Sequence, residues 1–279
     1  MGETERSRPC QHKGLQTLVL RKQPECFLQK MKMHRLVVIA LALLMFSMPV
    51  CASQTDNRIE STARQSYIFK NFLQNDDIRI KSKDGAVTLT GVVAGNFNKE
   101  LAGETAASIA GVKHVDNRLE IKGAPPSANS DAWIRDKVEG TLLLHRSVST
   151  DKTGVNVKDG IVTLQGEAAS GAQKDLTTEY ARDVEGVKDV HNEMTVIKTA
   201  KKTRTVSQKM DDASITAQVK MTLLYHRSTS ALATSVETKR GVVILSGKVK
   251  NAAEKDLAAK FASDINGVQR VTNRLTIEY

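Results

Sequence analysis

The chain has 279 residues, a formal net charge of +10, and 40% hydrophobic but only 4% aromatic residues. That balance suits small globular domains with cores of Val, Ile, Leu and Ala, and excludes a chain dominated by disorder or by membrane spans. Residues 1–52 hold eight of the 41 Lys/Arg and three of the 31 Asp/Glu, so the remainder carries +5. Four of its cations, Lys201, Lys202, Arg204 and Lys209, fall in one acid-free stretch, Thr199 to Met210. No stripe for a phosphate backbone is left, and no nucleic-acid partner is expected.

Met31-Lys32-Met33-His34-Arg35 makes a basic start, Leu36 to Val50 an apolar run, and Val50-Cys51-Ala52 a small-residue site. This layout predicts a secretory signal peptide cleaved near Ala52, a true start at Met31 or Met33, and a periplasmic mature chain. Residues 1–52 are therefore expected to be a leader. Lipidation of Cys51 is an alternative, for which Met48-Pro49-Val50 is a poor lead-in; an uncleaved anchor is another. Cys10, Cys26 and Cys51 all lie here, so the mature chain is expected to be free of disulfides and thiols.

The rest repeats itself three times. Asp84-Gly85-Ala86-Val87-Thr88-Leu89-Thr90-Gly91 returns as Asp159 to Gly166 and as Arg240 to Gly247, at offsets of 75 and 81 residues. Each copy ends with a glycine (Gly111, Gly186, Gly267) and Val-x-x-Val-x-Asn, closing on Asn117, Asn192 and Asn273. Such a period implies three small domains. Their expected limits are 57–122, 131–198 and 211–279, with 199–210 a basic linker.

Within each copy a first helix is predicted from Ile59/Ala63/Tyr67, Ile134/Val138/Leu142 and Ile215/Val219/Leu223, with Asp131 as a candidate cap. A strand follows near Ile78–Ile80, Val155–Val157 and Val236, and the Asp-Gly pair supplies a hairpin turn. Val87/Leu89, Val162/Leu164 and Val243/Leu245 alternate along a second strand. A second helix carries Leu101/Ala106/Ile109 and its counterparts, and a last strand Val115/Leu119/Ile121 and theirs. The order predicts an α+β fold, three tandem αββαβ domains, each with two helices on one face of a three-stranded sheet.

No catalytic constellation is visible, and no cofactor or metal is expected. His145 and His226 are equivalent, but copy one has Lys70-Asn71 there, and neither has a carboxylate or cysteine at ligand spacing. They read as solvated helix-end histidines. Lys99-Glu100, Lys174-Asp175 and Lys255-Asp256 read as a solvated face. No nucleophile–base pair recurs, and an enzyme is not expected.

The end of the first helix is apolar nearly all round: Tyr67-Ile68-Phe69, Leu142-Leu143-Leu144 and Leu223-Leu224-Tyr225. On a continuous helix Ile68 lies about 180° from Ile59 and points away from the core. Two readings stand. These residues bury against a neighbouring domain, or they form exposed edges that touch lipid or unfolded clients. On the second reading the contact residues are Ile68, Phe69, Leu143, Leu144, Leu224 and Tyr225, with Arg146, Arg227, Lys201, Lys202 and Arg204 supplying attraction.

The turn motif Asp-Gly-x-Val-x-Leu-x-Gly, the later Gly-Val-x-x-Val-x-Asn and the order of elements resemble the BON domain, a bacterial periplasmic and outer-membrane module. Tandem copies behind a signal peptide resemble the osmotically inducible protein Y family. The resemblance covers residues 57–279; a third domain and Arg240 in the turn depart from it. It implies a non-enzymatic envelope or osmotic-stress protein that associates with phospholipid or envelope components. A periplasmic holdase-type chaperone is the alternative, and three weak surfaces on short linkers would act multivalently.

Overall fold

The computed structural model describes residues 49–148, 153–197, 210–229 and 233–278. The first repeat contains α1 (Pro49–Gln65), α2 (Tyr67–Asn71), β1 (Asp77–Lys83), β2 (Ala86–Val93), α3 (Asn96–Ala107) and β3 (His114–Ile121). The second contains α4 (Asp131–Leu144), β4 (Thr153–Lys158), β5 (Ile161–Ala168), α5 (Gly171–Arg182), β6 (Asp189–Asn192) and β7 (Thr195–Val196). The third contains α6 (Asp212–Tyr225), β8 (Ala233–Lys239), β9 (Val242–Val249), α7 (Ala252–Ser263) and β10 (Arg270–Ile277).

Each repeat is the α+β unit that its sequence predicts. The middle strand pairs antiparallel with the strand before it and parallel with the strand after the helix; Leu89 lies between Ile80 and Asn117. Along β2, Val87, Leu89 and Val93 are buried while Ala86, Thr90 and Val92 face out, the alternation of a sheet covered on one face. Ile59 and Ala63 of α1 and Leu101, Ala102 and Ala106 of α3 complete that core. Each Leu or Ile so enclosed contributes about 1.5–3 kcal/mol relative to exposure.

The hairpin turn has positive φ at both central positions, 54° at Asp84 and 82° at Gly85, as a tight hairpin twisting with its strands requires. Its two N–H groups donate to one carboxylate of the first helix, at 2.8 Å from Asp84 and 3.0 Å from Gly85 to Asp56. Asp131 and Asp212 take the same role in the other copies. This corrects the assignment of Asp131 as helix cap. Ser130 caps α4, its Oγ accepting from Trp133 N–H, because the turn claims both oxygens of Asp131. Gly91 and Gly247 close the hairpin where any Cβ would overlap the carbonyl oxygens of Asp77 and Ala233.

The terminal asparagine staples helix to strand. Asn117, Asn192 and Asn273 donate from Nδ2 to the carbonyls of Lys99, Lys174 and Lys255 at 2.8, 2.9 and 2.8 Å. Their Oδ1 atoms accept from the N–H groups of Leu119, Met194 and Leu275. In the second copy the last strand is split between β6 and β7, both still paired with β5.

The repeats do not stand as separate beads: from Val50 on, the described residues of all three form one compact unit. At its centre lies α6, which has no single apolar stripe. Ile215, Ala217, Val219, Met221, Leu223 and Tyr225 are buried around its circumference, the pattern of a helix enclosed on all sides. It packs against α3, α4 and α7 as well as its own β8.

Polar contacts link the repeats through helix ends. Gly95 provides no side-chain cap for α3, and Asp136 of α4 accepts from Phe97 N–H at 3.1 Å instead. Asp211 and Ser214 of the third repeat accept from the N–H groups of Tyr67 and Ile68 at 2.7 and 3.2 Å. Those outside acceptors break the first helix: α1 stops at Gln65, and Ser66 caps a separate α2. The break invalidates the angular argument from Ile59 to Ile68, and Ile68 turns into the core with 0% exposure.

Candidate functional site

A buried cluster of ionisable groups lies where the ends of α4 and α6 meet. His145 and His226 follow these helices in extended conformation, with φ of −83° and −77°. Both side chains are fully enclosed, which overturns their reading as solvated. Their Nε2 atoms meet at 2.9 Å. The ring centroids are 5.1 Å apart, the Nε2 separation plus two ring radii, so the imidazoles meet head-on.

Each Nδ1 faces an aspartate of the opposite repeat. His145 lies 3.1 Å from Asp264 Oδ2, and His226 3.1 Å from Asp183 Oδ2. The contact has pseudo-twofold symmetry, because the histidines, arginines, serines and aspartates recur at the 81-residue offset. Arg146 N–H donates to the Asp264 carbonyl at 2.9 Å, and Arg227 N–H to the Asp183 carbonyl at 2.6 Å. Ser147 donates its hydroxyl to Asp264 and Ser228 to Asp183. Tyr180 stacks on His145 at 3.8 Å and Phe261 on His226 at 4.0 Å. Tyr180 also donates to Asp264 at 2.8 Å.

Burial alone raises the pKa of both carboxyls, but hydrogen bonds from His226 and Ser228 to Asp183, and from His145, Ser147 and Tyr180 to Asp264, outweigh it. Both therefore sit below the usual carboxylate range and are ionised at neutral pH. Burial, then Asp264, hold the Tyr180 phenol protonated well above its ordinary range. Burial pushes His145 down, against the hydrogen bond from Asp264.

An ionised carboxylate only accepts, so each Nδ1 carries a proton. The Nε2–Nε2 hydrogen bond needs a third. Two imidazoles holding three protons carry one positive charge between them, set between two negative aspartates. With both Nε2 atoms engaged and both rings sealed, neither histidine is presented to a substrate as a base. Among the described residues no group of three or more His, Cys, Asp or Glu is arranged to hold a metal ion. The Nε2 separation is that of a hydrogen bond.

Residues 55–123, 130–198 and 211–279 each match the BON domain family. The chain belongs to the BON domain family. It is 33% identical over 191 residues to osmotically-inducible protein Y of Escherichia coli, covering 68% of this chain and 92% of that protein. It is 34% identical over 142 residues to outer membrane lipoprotein DolP of Haemophilus influenzae, covering 50% of this chain and 71% of that one. The head-on histidines thus join BON domains 2 and 3.

The same packing disposes of most of the expected lipid edge. Ile68, Leu144 and Tyr225 have exposures of 0%, 0% and 1%. Ile68 lies in the core because α1 breaks, and Leu144 because α4 ends beside the histidine pair. Tyr225 fills the junction of the three domains: its hydroxyl donates to Glu100 at 2.9 Å, and its ring meets Phe97 edge-on at 5.9 Å. Glu100 is thereby also removed from the expected solvated face. Burial, then Glu100, hold the Tyr225 phenol protonated far above its ordinary range.

Phe69 and Leu143 are half-buried, and Leu143 lines a cleft of about 500 Å³ between BON domains 1 and 2 beside Asp136 and Glu139. Burial raises the pKa of both these carboxyls. Leu224 is 50% exposed. Arg146 has a half-exposed side chain whose Nε lies 3.6 Å from Asp264, and Arg227 donates to the Arg182 carbonyl. Lys201, Lys202 and Arg204 lie outside the described residues. Among those described, no helix is long and apolar enough to cross a membrane.

A signal for the histidine cluster was present in the aligned copies. Where a copy has His it also has Asp 38 residues on, as in His145/Asp183 and His226/Asp264; the first copy has Lys70 and Ser108. The joint presence and joint loss mark one interaction. No single copy contains the pairing, because each histidine takes its carboxylate from the other copy.

Proposed function

We propose that this BON domain protein is a non-enzymatic envelope protein, exported to the periplasm, that binds phospholipid surfaces in osmotic stress. The similarity to osmotically-inducible protein Y over 92% of that protein's length carries this reading. The relative named as an outer membrane lipoprotein and the signal-peptide pattern of residues 31–52 support the location.

Leu224 is the apolar contact, with Phe69 and Leu143 adding partly exposed area. Arg146, Arg227 and the basic linker through Lys201, Lys202 and Arg204 supply attraction. Inserting a leucine is worth up to about 1.5–3 kcal/mol, and each basic residue near an anionic surface about 1 kcal/mol.

Co-sedimentation with phosphatidylglycerol–phosphatidylethanolamine vesicles tests the reading. Wild type pellets at low salt and releases as salt rises, since surface attraction is screened. Leu224→Glu, folded by circular dichroism, weakens binding at least tenfold. Pelleting of that variant equal to wild type removes Leu224 from the contact, and no pelleting of wild type at any salt sinks the lipid reading.

A further inference from the structure

The contact between BON domains 2 and 3 has a proton requirement that lipid binding does not explain. Among the described residues, the titratable and charged groups around the two imidazoles come from four elements. From the end of α4 come His145 and Arg146, and from α5 Tyr180, Arg182 and Asp183. From the end of α6 come His226 and Arg227, and from α7 Asp264, with Lys260 and Glu179 at the rim of a cleft of about 400 Å³ beside them. Asp183 and Asp264 are ionised near neutral pH and the Tyr180 phenol is protonated. Imidazole is the side chain whose charge ordinarily changes between about pH 5 and 8.

We propose that His145 and His226 form a one-proton clasp: BON domains 2 and 3 stay docked while the two imidazoles share one proton, and part when a second is added or the shared one is lost. With the second proton, both Nε2 atoms are donors and face each other at hydrogen-bond distance with like charges. With none, two lone pairs face each other. Both states break the central bond and leave a buried polar atom without a partner. Burial first, and then the charge of His226, lower the affinity of His145 for a proton against its hydrogen bond to Asp264, the direction that resists a second one. The two steps belong to the pair and not to either ring.

Linkage gives the shape of the response. The reference for the parted state is a solvated imidazole, whose ordinary value is about 6.5. Below that value parting takes up one proton, and the parting constant rises about tenfold for each pH unit of acidification. Above it parting releases the shared proton, so the constant rises again toward alkaline pH. Docking is therefore tightest near pH 6.5 and weakens on both sides. Two buried neutral histidines would instead dock more tightly as pH rises and then level off.

The amides of Arg146 and Arg227, which donate across the boundary, report docking directly. Hydrogen exchange of the full chain, corrected for intrinsic rates, is followed from pH 5 to 8.5. Their protection is expected to peak near pH 6.5 and to fall about tenfold per unit on the acid side, while amides of β2 stay level. In His145→Gln/His226→Gln the dependence flattens. A wild-type profile that is flat or rises steadily to pH 8.5 overturns the proposal, as does an unchanged peak in the double variant. Should that variant fail to dock at any pH, the wild-type imidazole nitrogen-15 signals at pH 6.5 decide. Nε2 shifts midway between protonated and bare nitrogen support one shared proton, and two bare nitrogens overturn it.

Discussion

Tyr225 donates its hydroxyl to Glu100 across the boundary between BON domains 3 and 1, at 2.9 Å. The ring fills the junction while the oxygen reaches the half-open carboxylate. Tyr225→Phe keeps the ring and its edge-on contact with Phe97 and removes only the charge-assisted hydrogen bond. Glu100 can take up water, so the cost is about 1–2 kcal/mol. Urea unfolding at unchanged slope reads it as a lower midpoint; an unchanged midpoint shows that the bond adds nothing.

Gly140 lets α4 approach the first domain, because a Cβ there would run into the Phe97 ring. Gly140→Ala raises helix propensity by about 1 kcal/mol but forces Phe97 aside in a packed site, at about 1–3 kcal/mol. The net effect is destabilising and weakens the fit of domains 1 and 2. Thermal unfolding checks the sign: a raised Tm means that the ring yields freely.

Arg240 occupies the turn position with a φ of 52°, where the first two copies have aspartate. A left-handed backbone costs an ordinary side chain about 1–2 kcal/mol, and asparagine tolerates it by bonding locally. Arg240→Asn should therefore stabilise the chain by about 0.5–1 kcal/mol. Asp212 still receives both turn N–H groups, so the gain is visible as a higher urea midpoint.

Asp131 is held below its ordinary pKa of 3.8 by hydrogen bonds from the N–H groups of Asp159 and then Gly160. A lowered folded-state pKa adds stability that is present above about pH 4 and is lost as pH falls through the folded value. Asp131→Asn, which presents an amide hydrogen to one of those donors, lowers Tm at pH 7. The gap from wild type closes as pH falls below about 4. A gap that persists undiminished there would assign the loss to packing and not to ionisation.

What the sequence determined by itself is whatever neighbouring residues decide. The Asp-Gly turns, the alternation of Val87 and Leu89, the helix periodicity and the closing asparagine all act within a few residues or within one repeat, and three copies made them legible. The central place of α6 was not legible: Ile215, Val219 and Leu223 marked one apolar face, as in the other copies, while the structure buries it all round. Only the tertiary structure decided how the copies meet. Ser66 interrupts the first helix because Asp211 and Ser214, nearly 150 residues away, capture the N–H groups of Tyr67 and Ile68. His145 and His226, each beside an arginine at a helix end, carry the local signature of solvated groups. They are buried because each finds its carboxylate on the other domain, and desolvating a charge is tolerable only where such partners wait. Burial depends on the sum of contacts from all sides, and for these residues most of those contacts come from elsewhere in the chain.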